Sequence, residues 1–440
     1  MLTLPDIVAA SAGLTLSGST FIAAVQVADF MVGDAAWLAI LVGGLLCITA
    51  ALCFAELNSI IPSAAGLRLY FSHAYNDLSA IIVSMLYMLI VLGVIGTESY
   101  VLAMVLNEAW PAVHPLVWIL AMFSFVTVLN VLGIKIAGGF QNILTYALIV
   151  SLLIFAVIAL VKVNFQFTSP LNFGSGTNLT NAVALGVFLF VGFEWVTPLA
   201  EEASHHKLIS KGMLLAVGIL SITYALFTLA MTAATSREAL SGSPIPHLVF
   251  ARDLLGPGGT AWMMAITLAA SITTFNAGLL SVSRFVYSSA REHVLPAVLS
   301  RLSTRFFTPW AAIVAIFIVA VIISAVVLST QHYLTLVNMA AAMESIIYAM
   351  AGIAVIRLRK KMPHIPRPNP MPGGNVIPIV CSIVFTVLAL AVFISFPEVF
   401  LYIAFGLLLC TAYVYLVVPK LKRRYQSKKA KTSNRRRAES

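Results

Sequence analysis

Two stretches decide how this chain is built: Gly13-Leu14-Thr15-Leu16-Ser17-Gly18-Ser19-Thr20-Phe21, and Gly186 followed by Phe188-Leu189-Phe190-Val191-Gly192-Phe193-Glu194 with Pro198 close behind. Each lies inside an apolar run of roughly 20 residues, the length that crosses about 30 Å of hydrocarbon as a helix. A helix at that depth must satisfy its own backbone. Clustered Gly, Ser and Pro at its middle therefore free N–H and C=O groups that need other partners. Small residues also let helices pack closely. Their recurrence in the first and sixth runs, however, fits a repeat of five helices whose second copy is inverted, and interrupted helices at matching places in two such halves point to a binding site. The half-helix ends would offer N–H groups to an anion and carbonyls to a cation.

The rest of the sequence agrees with a membrane setting. Of 440 residues, 60% are hydrophobic and 10% charged, with a mean hydropathy of +1.00; soluble domains carry about 25% charged residues. Such a chain has too little charge to cover a water-facing surface, so it reads as an all-α polytopic membrane protein. Twelve runs fit a span, at about 7–28, 36–56, 78–106, 115–132, 141–162, 179–198, 210–233, 260–290, 308–329, 331–357, 374–396 and 398–418. No basic segment precedes the run from Ile7, which outlasts a signal-peptide core and reads as the first span. With both termini in the cytoplasm, 23 of the 26 Lys and Arg fall on the inner side, and only Lys162, Arg237 and Arg252 fall outside. The positive-inside rule selects that orientation. The net charge of +10 is then loop and tail charge. Residues 419–440 form a basic cytoplasmic tail expected to meet anionic lipid headgroups rather than nucleic acid. Cys47, Cys53, Cys381 and Cys410 sit in or beside apolar runs without paired spacing and read as small buried hydrophobes.

Several motifs resemble the amino acid-polyamine-organocation superfamily of permeases, from about residue 8 to 418. Phe190-x-Gly192-Phe193-Glu194 followed by Ala200-Glu201-Glu202 looks like that family's sixth-span signature. Glu56-Leu57 with Pro62 and Gly66 is similar to its second-span exit, and Arg284-x-x-Tyr287-x-x-x-Arg291 with Leu295-Pro296 to its eighth-span exit. Thr308-Pro309 before span nine and Arg357-Leu358-Arg359 with Arg367-Pro368 before span eleven complete the series. The resemblance implies a LeuT-type 5+5 inverted repeat plus two C-terminal helices: residues 1–165 and 166–358 as the repeats, then 359–418. It also implies alternating-access transport of an amino acid or small organic amine, by symport or exchange. The substrate would bind at Ser17, Gly18, Ser19 and Thr20 of the first break and at Phe188, Val191 and Gly192 of the sixth, with carbonyls near Phe188 to Val191 accepting an ammonium. The family's Gly-Ser-Gly before a hydrophobic residue and Phe is transposed here to Ser17-Gly18-Ser19-Thr20-Phe21. The position of the lysine that some proton-coupled members carry in span five falls at Leu148 or a neighbour, and no lysine lies between Lys135 and Lys162.

Carboxylates at membrane depth are costly and are functional candidates by default. Glu98, Glu194 and Glu344 are the three. Glu194 adjoins the sixth-span break and is the expected coupling group; its structural alternative is a tie from span six to span one. Glu98 is expected to meet a cationic substrate group or to bond a neighbouring helix. Ser271, Thr273, Thr274, Ser281 and Ser283 of span eight could complete a sodium shell or bond the preceding turn. Glu201, Glu202, His205, His206 and Lys207 crowd one loop without a metal-ligand spacing, so neither metal nor cofactor is expected. No phosphate-binding loop, HExxH or deep Ser-His or Cys-His set appears, which argues against a nucleotide-driven pump or an enzyme. The expected partners are the substrate, a proton or sodium ion and the lipid bilayer, in a monomer or homodimer of the inner (plasma) membrane. A receptor or channel on the same fold is the alternative.

Overall fold

In the computed structural model, which describes residues 1–172, 174–368, 371 and 373–425, the regular structure of the described residues is helical. Eleven helices are long and apolar enough to cross a membrane, and the pair Leu4–Thr15 and Ser19–Phe30, bent by 58°, makes a twelfth span with a break in it. The twelve runs read from the sequence correspond to these helices. Their ends differ: span three runs Asp77–Ala109 and span seven His206–Ala234, each longer than its apolar core, because polar end turns continue the helix beyond the hydrocarbon.

Burial sorts the spans into a centre and a rim. The most apolar stretch of span six is wholly enclosed by protein, whereas those of spans four (Pro115–Leu132), eleven (Val376–Ser395) and twelve (Pro397–Tyr425) are mostly exposed. The irregular backbone therefore sits where neighbouring helices, rather than lipid, surround it, the condition under which such backbone is tolerated at depth. The first half of span one packs on spans five (Ile134–Lys162), seven and eight and on the second half of span six. Span two (Ala36–Ile60) lies along span seven, and span ten (Tyr333–Lys361) along span eleven.

The N-terminal residues and the end of span twelve lie on one face. The Leu2 N–H donates to the Glu202 carbonyl and the Ser204 N–H to the Leu2 carbonyl, at 2.9 and 3.0 Å. Near the other end, the Tyr413 hydroxyl donates to the Val294 carbonyl, 3.0 Å away. An ionic belt closes this face. Glu56, at the end of span two, accepts from Arg359 Nε at 2.8 Å and Nη2 at 2.6 Å, and Arg367 Nε is 3.3 Å away. Arg284 Nε donates to Glu202 at 2.8 Å, and Arg68 pairs with Glu292. Burial pushes the Tyr75 hydroxyl up to about 12, with Arg357 opposing it; kept protonated, it donates to the Met350 carbonyl at 2.7 Å.

The opposite face carries a cover. Arg237–Ser241 forms a short helix. Pro246–Arg291 is one helix by its hydrogen bonds, but Gly256 at φ +62° and ψ −148° breaks it, so its first turns lie over the bundle and the remainder is span eight. This covering segment is therefore joined directly to span eight. Its buried His247 stacks on Phe21, just past the first-span break, with ring centres 4.7 Å apart.

Candidate functional site at the broken helices

The first-span helix ends at Thr15 and restarts at Ser19. Its freed groups have partners from other spans. Thr274 Oγ1 donates toward the Gly13 and Leu16 carbonyls, 3.2 Å from each. Tyr224 donates to the Thr15 carbonyl at 2.9 Å. Within the break, Thr20 Oγ1 donates to the Ser17 carbonyl at 2.6 Å, and the Ser17 and Ser19 hydroxyls are 2.8 Å apart.

Glu98 occupies the amide end of the break. The Gly18 N–H donates to its Oε1 at 3.0 Å and the Ser19 N–H to its Oε2 at 2.9 Å. The Ser271 hydroxyl donates to Oε1 at 2.6 Å. One carboxylate thus joins spans one, three and eight with no solvent exposure.

Span six breaks by different means. It is α-helical over Gly176–Gly186, tightens to a 3₁₀ turn over Val187–Phe190, and resumes as 3₁₀ over Phe193–Glu201 with Pro198 inside. Gly192 at φ +108° makes the turn between them, and a Cβ there would meet Leu14 at 2.9 Å. The left-handed conformation and the close approach of span one both require glycine. The Phe193 carbonyl accepts from Ser11 Oγ at 2.9 Å, fastening the two breaks together. Phe188 and Val191 are buried, and the Phe188 carbonyl accepts from the Val191 N–H at 3.0 Å.

Glu194 points away from span one. Its carboxyl group meets the Tyr87 hydroxyl of span three and the Tyr348 hydroxyl of span ten, the latter at 3.1 Å. Glu344, one turn before Tyr348, meets the same two hydroxyls. The structural alternative, a tie from Glu194 to span one, is not what the structure shows: the backbone carbonyl of Phe193 makes that link, and the Glu194 carboxyl group meets spans three and ten. Tyr87, Glu194 and Trp195 line a narrow cavity with Leu67, Pro198 and Phe285, on the side of the chain termini.

The sequence-predicted residues therefore fall into two clusters. Ser17, Gly18, Ser19, Thr20 and Glu98 form one; Glu194 joins the second, with Glu344, Tyr87 and Tyr348. Span three links them. Tyr87 and Glu98 are eleven residues apart on one continuous helix, roughly three turns and about 16 Å, so they share a face.

Other sequence expectations change in detail. Among the span-five side chains that reach span one, Gln141 and Thr145 both lie within 3.3 Å of the Ala9 carbonyl, and Asn142 and Tyr146 bond Asp6 and the Pro5 carbonyl nearer its start. Thr273 and Ser283 bond carbonyls of their own helix, so of the span-eight hydroxyls Thr274 faces the first-span carbonyls and Ser271 meets Glu98. A buried amide chain was missed: Asn130 Nδ2 donates to Asn276 Oδ1, and Asn276 Nδ2 donates to Gln141 Oε1, each at 2.8 Å. Its signal was a carboxamide in each of three apolar spans, Asn130, Gln141 and Asn276, at depths where polar groups need partners.

Comparison with known proteins places these features. A family model described as amino acid permease matches residues 2–418. The branched-chain amino acid permease BcaP of Bacillus subtilis is 26% identical, covering 79% of this chain and 78% of its own. The human large neutral amino acids transporter small subunit 2 is 25% identical over 74% of this chain, which spans only 64% of that relative. The methylthioribose transporter of Bacillus subtilis is 26% identical, covering 86% and 85%. Among solved structures, an outward-open sodium-coupled sialic acid symporter superposes with a TM-score of 0.56 at 14% identity, covering 90% of each chain. A closed nucleobase-cation-symport-1 family transporter gives 0.54 at 14%, covering 94% and 96%. These two likenesses give the fold, which is LeuT-type.

Proposed function

The chain belongs to the amino acid permease family, and we propose that it carries an amino acid or small organic amine by alternating access, through proton-coupled symport or exchange. It is a multi-pass membrane transporter, not an enzyme. The observation that carries the mechanism is the contact between the two interrupted helices at the enclosed centre, Ser11 Oγ on the Phe193 carbonyl. Backbone groups freed there are the ones a substrate can use without costly desolvation of new polar surface. Residues 1–165 and 166–358 serve as the two repeats that move around this centre, and spans eleven and twelve flank them.

Proton counting supports the coupling assignment. Four contacts join Glu194 and Glu344 to Tyr87 and Tyr348. Each phenol brings one proton, so a ring of four hydrogen bonds needs a proton from each carboxyl group. Releasing either proton leaves two acceptors facing each other. That gives the pair a reason to change conformation as it discharges, which is what coupling requires. The ionic belt around Glu56 and Arg284 is the gate on the terminus-bearing face, assigned to the cytoplasm of an inner or plasma membrane because most Lys and Arg lie there. Residues 426–440 of the basic tail, assigned to anionic lipid, lie outside the described residues. The assembly is a monomer or homodimer.

Sodium coupling is the second reading, favoured by Thr274 between two first-span carbonyls, an oxygen cluster suited to a hard cation. Purified protein in liposomes tests both. We expect saturable uptake from pools of labelled amino acids and amines, stimulated by an inward proton gradient and unchanged when choline replaces sodium. Strict sodium dependence would select the second reading. Uptake only against preloaded substrate would make the protein an exchanger, and absence of flux from every pool would remove the transporter reading in favour of a receptor.

A further inference from the structure

We propose that Glu98 is the specificity-determining residue: its carboxylate fills the anion seat of the first-span break, so the transported molecule is an organic cation with an ammonium and no free α-carboxylate. This rests on the transporter reading above and narrows its substrate class.

Consecutive N–H groups at the start of a half-helix are the natural place for a substrate carboxylate, since unpaired donors and the positive dipole end coincide there. Here both are taken, one by each oxygen of Glu98. The next two amides are also spent. Thr20 N–H donates to the Ser17 carbonyl and Phe21 N–H to the Gly18 carbonyl, each at 3.2 Å. Packing leaves no room beside the seat: even a Cβ on Gly18 would meet Thr267 and Val101 at 3.1 Å and Glu98 Oε1 at 3.2 Å. A substrate carboxylate would therefore displace Glu98 into an enclosed interior or lie against it, and an uncompensated buried charge is strongly disfavoured.

No cation offers a second seat. Residues 1–67, 69–134, 163–206 and 253–283, which supply spans one to four, span six and the part of span eight before Arg284, contain no Lys or Arg; Arg284 itself is engaged by Glu202 in the ionic belt. The centre holds three carboxyl side chains, Glu98, Glu194 and Glu344, all buried. With Glu98 as a carboxylate and no Lys or Arg in these stretches, the interior favours a positive guest and disfavours a second carboxylate.

Matched pairs test this: phenylalanine with phenethylamine, leucine with isoamylamine, and lysine with cadaverine. Protein-dependent, saturable uptake of each labelled compound is measured in proteoliposomes, with protein-free vesicles subtracted. The wild type should favour the amine of at least one pair by tenfold or more. Glu98→Ala frees the two N–H groups and should move that ratio at least tenfold toward the amino acid. Glu98→Gln keeps the side-chain shape and should lose the amine preference even if the alanine variant does not fold. Wild-type uptake of amino acids equal to or above their amines, or a ratio unmoved in Glu98→Gln, would overturn the assignment while leaving the transporter reading intact. No uptake of any compound would overturn both.

Discussion

The Tyr87 hydroxyl lies between the Glu194 and Glu344 carboxyl groups, within hydrogen-bonding reach of both. It joins span three to spans six and ten where all three side chains are buried. Tyr87→Phe removes the hydroxyl that bridges two buried carboxyl groups, a loss of about 1–3 kcal/mol. It should lower the melting temperature in detergent and shift the pH dependence of uptake. Combined with Glu344→Gln, the two changes should fall short of or exceed additivity by about 0.5–3 kcal/mol, because both act in one ring. Strict additivity would mean that the ring is not a unit.

Gly192 carries the sixth-span break at φ +108°, with Leu14 behind it. Gly192→Ala should cost about 1–3 kcal/mol in backbone strain before the clash is counted, and uptake should fall with it. Gly218→Ala is the control, since nothing lies within 4 Å of that position; it should leave the melting temperature unchanged or raise it. Equal behaviour of the two variants would refute the strained turn.

Glu56 shows what the sequence made legible. The second-span, eighth-span and pre-span-eleven motifs were visible as separate strings, and the structure shows Glu56, Arg284, Arg359 and Arg367 on one face. The twelve spans were legible because hydrophobic length is a local property. Glu98 and Glu194 were legible because charge at depth is conspicuous. Their partners were not: Gly18, Ser19 and Ser271 meet Glu98 across up to 173 residues of chain, and helical rotation decides such meetings. Gln141 illustrates the same limit: its bond to the Ala9 carbonyl of span one crosses 132 residues of chain.

The belt itself is testable. Glu56→Ala strands Arg359 and Arg367 beside a buried position and leaves the Met371 N–H without its acceptor. The expected cost is about 3–5 kcal/mol, read as a lower melting temperature. Arg359→Lys should recover only part of it, because the two-pronged contact needs a guanidinium. Full recovery by lysine would show that charge alone matters.

His247 is enclosed with neither ring nitrogen partnered, its ring against Phe21, which in turn packs on Phe227. His247→Phe keeps the ring stacking and removes the unsatisfied nitrogens. Stability should be unchanged or rise by about 1–3 kcal/mol. A clear fall in melting temperature would mean that the nitrogens have a partner in the membrane.

Coupling is tested most directly by separating exchange from net uptake in Glu194→Gln. Exchange between internal and external substrate needs the carrier only to cycle loaded, whereas gradient-driven accumulation needs it to release a proton each turn. The variant should retain exchange and lose stimulation by an inward proton gradient, with Glu344→Gln behaving alike. Gradient-stimulated accumulation that survives in Glu194→Gln would contradict the assignment of the coupling proton to this pair.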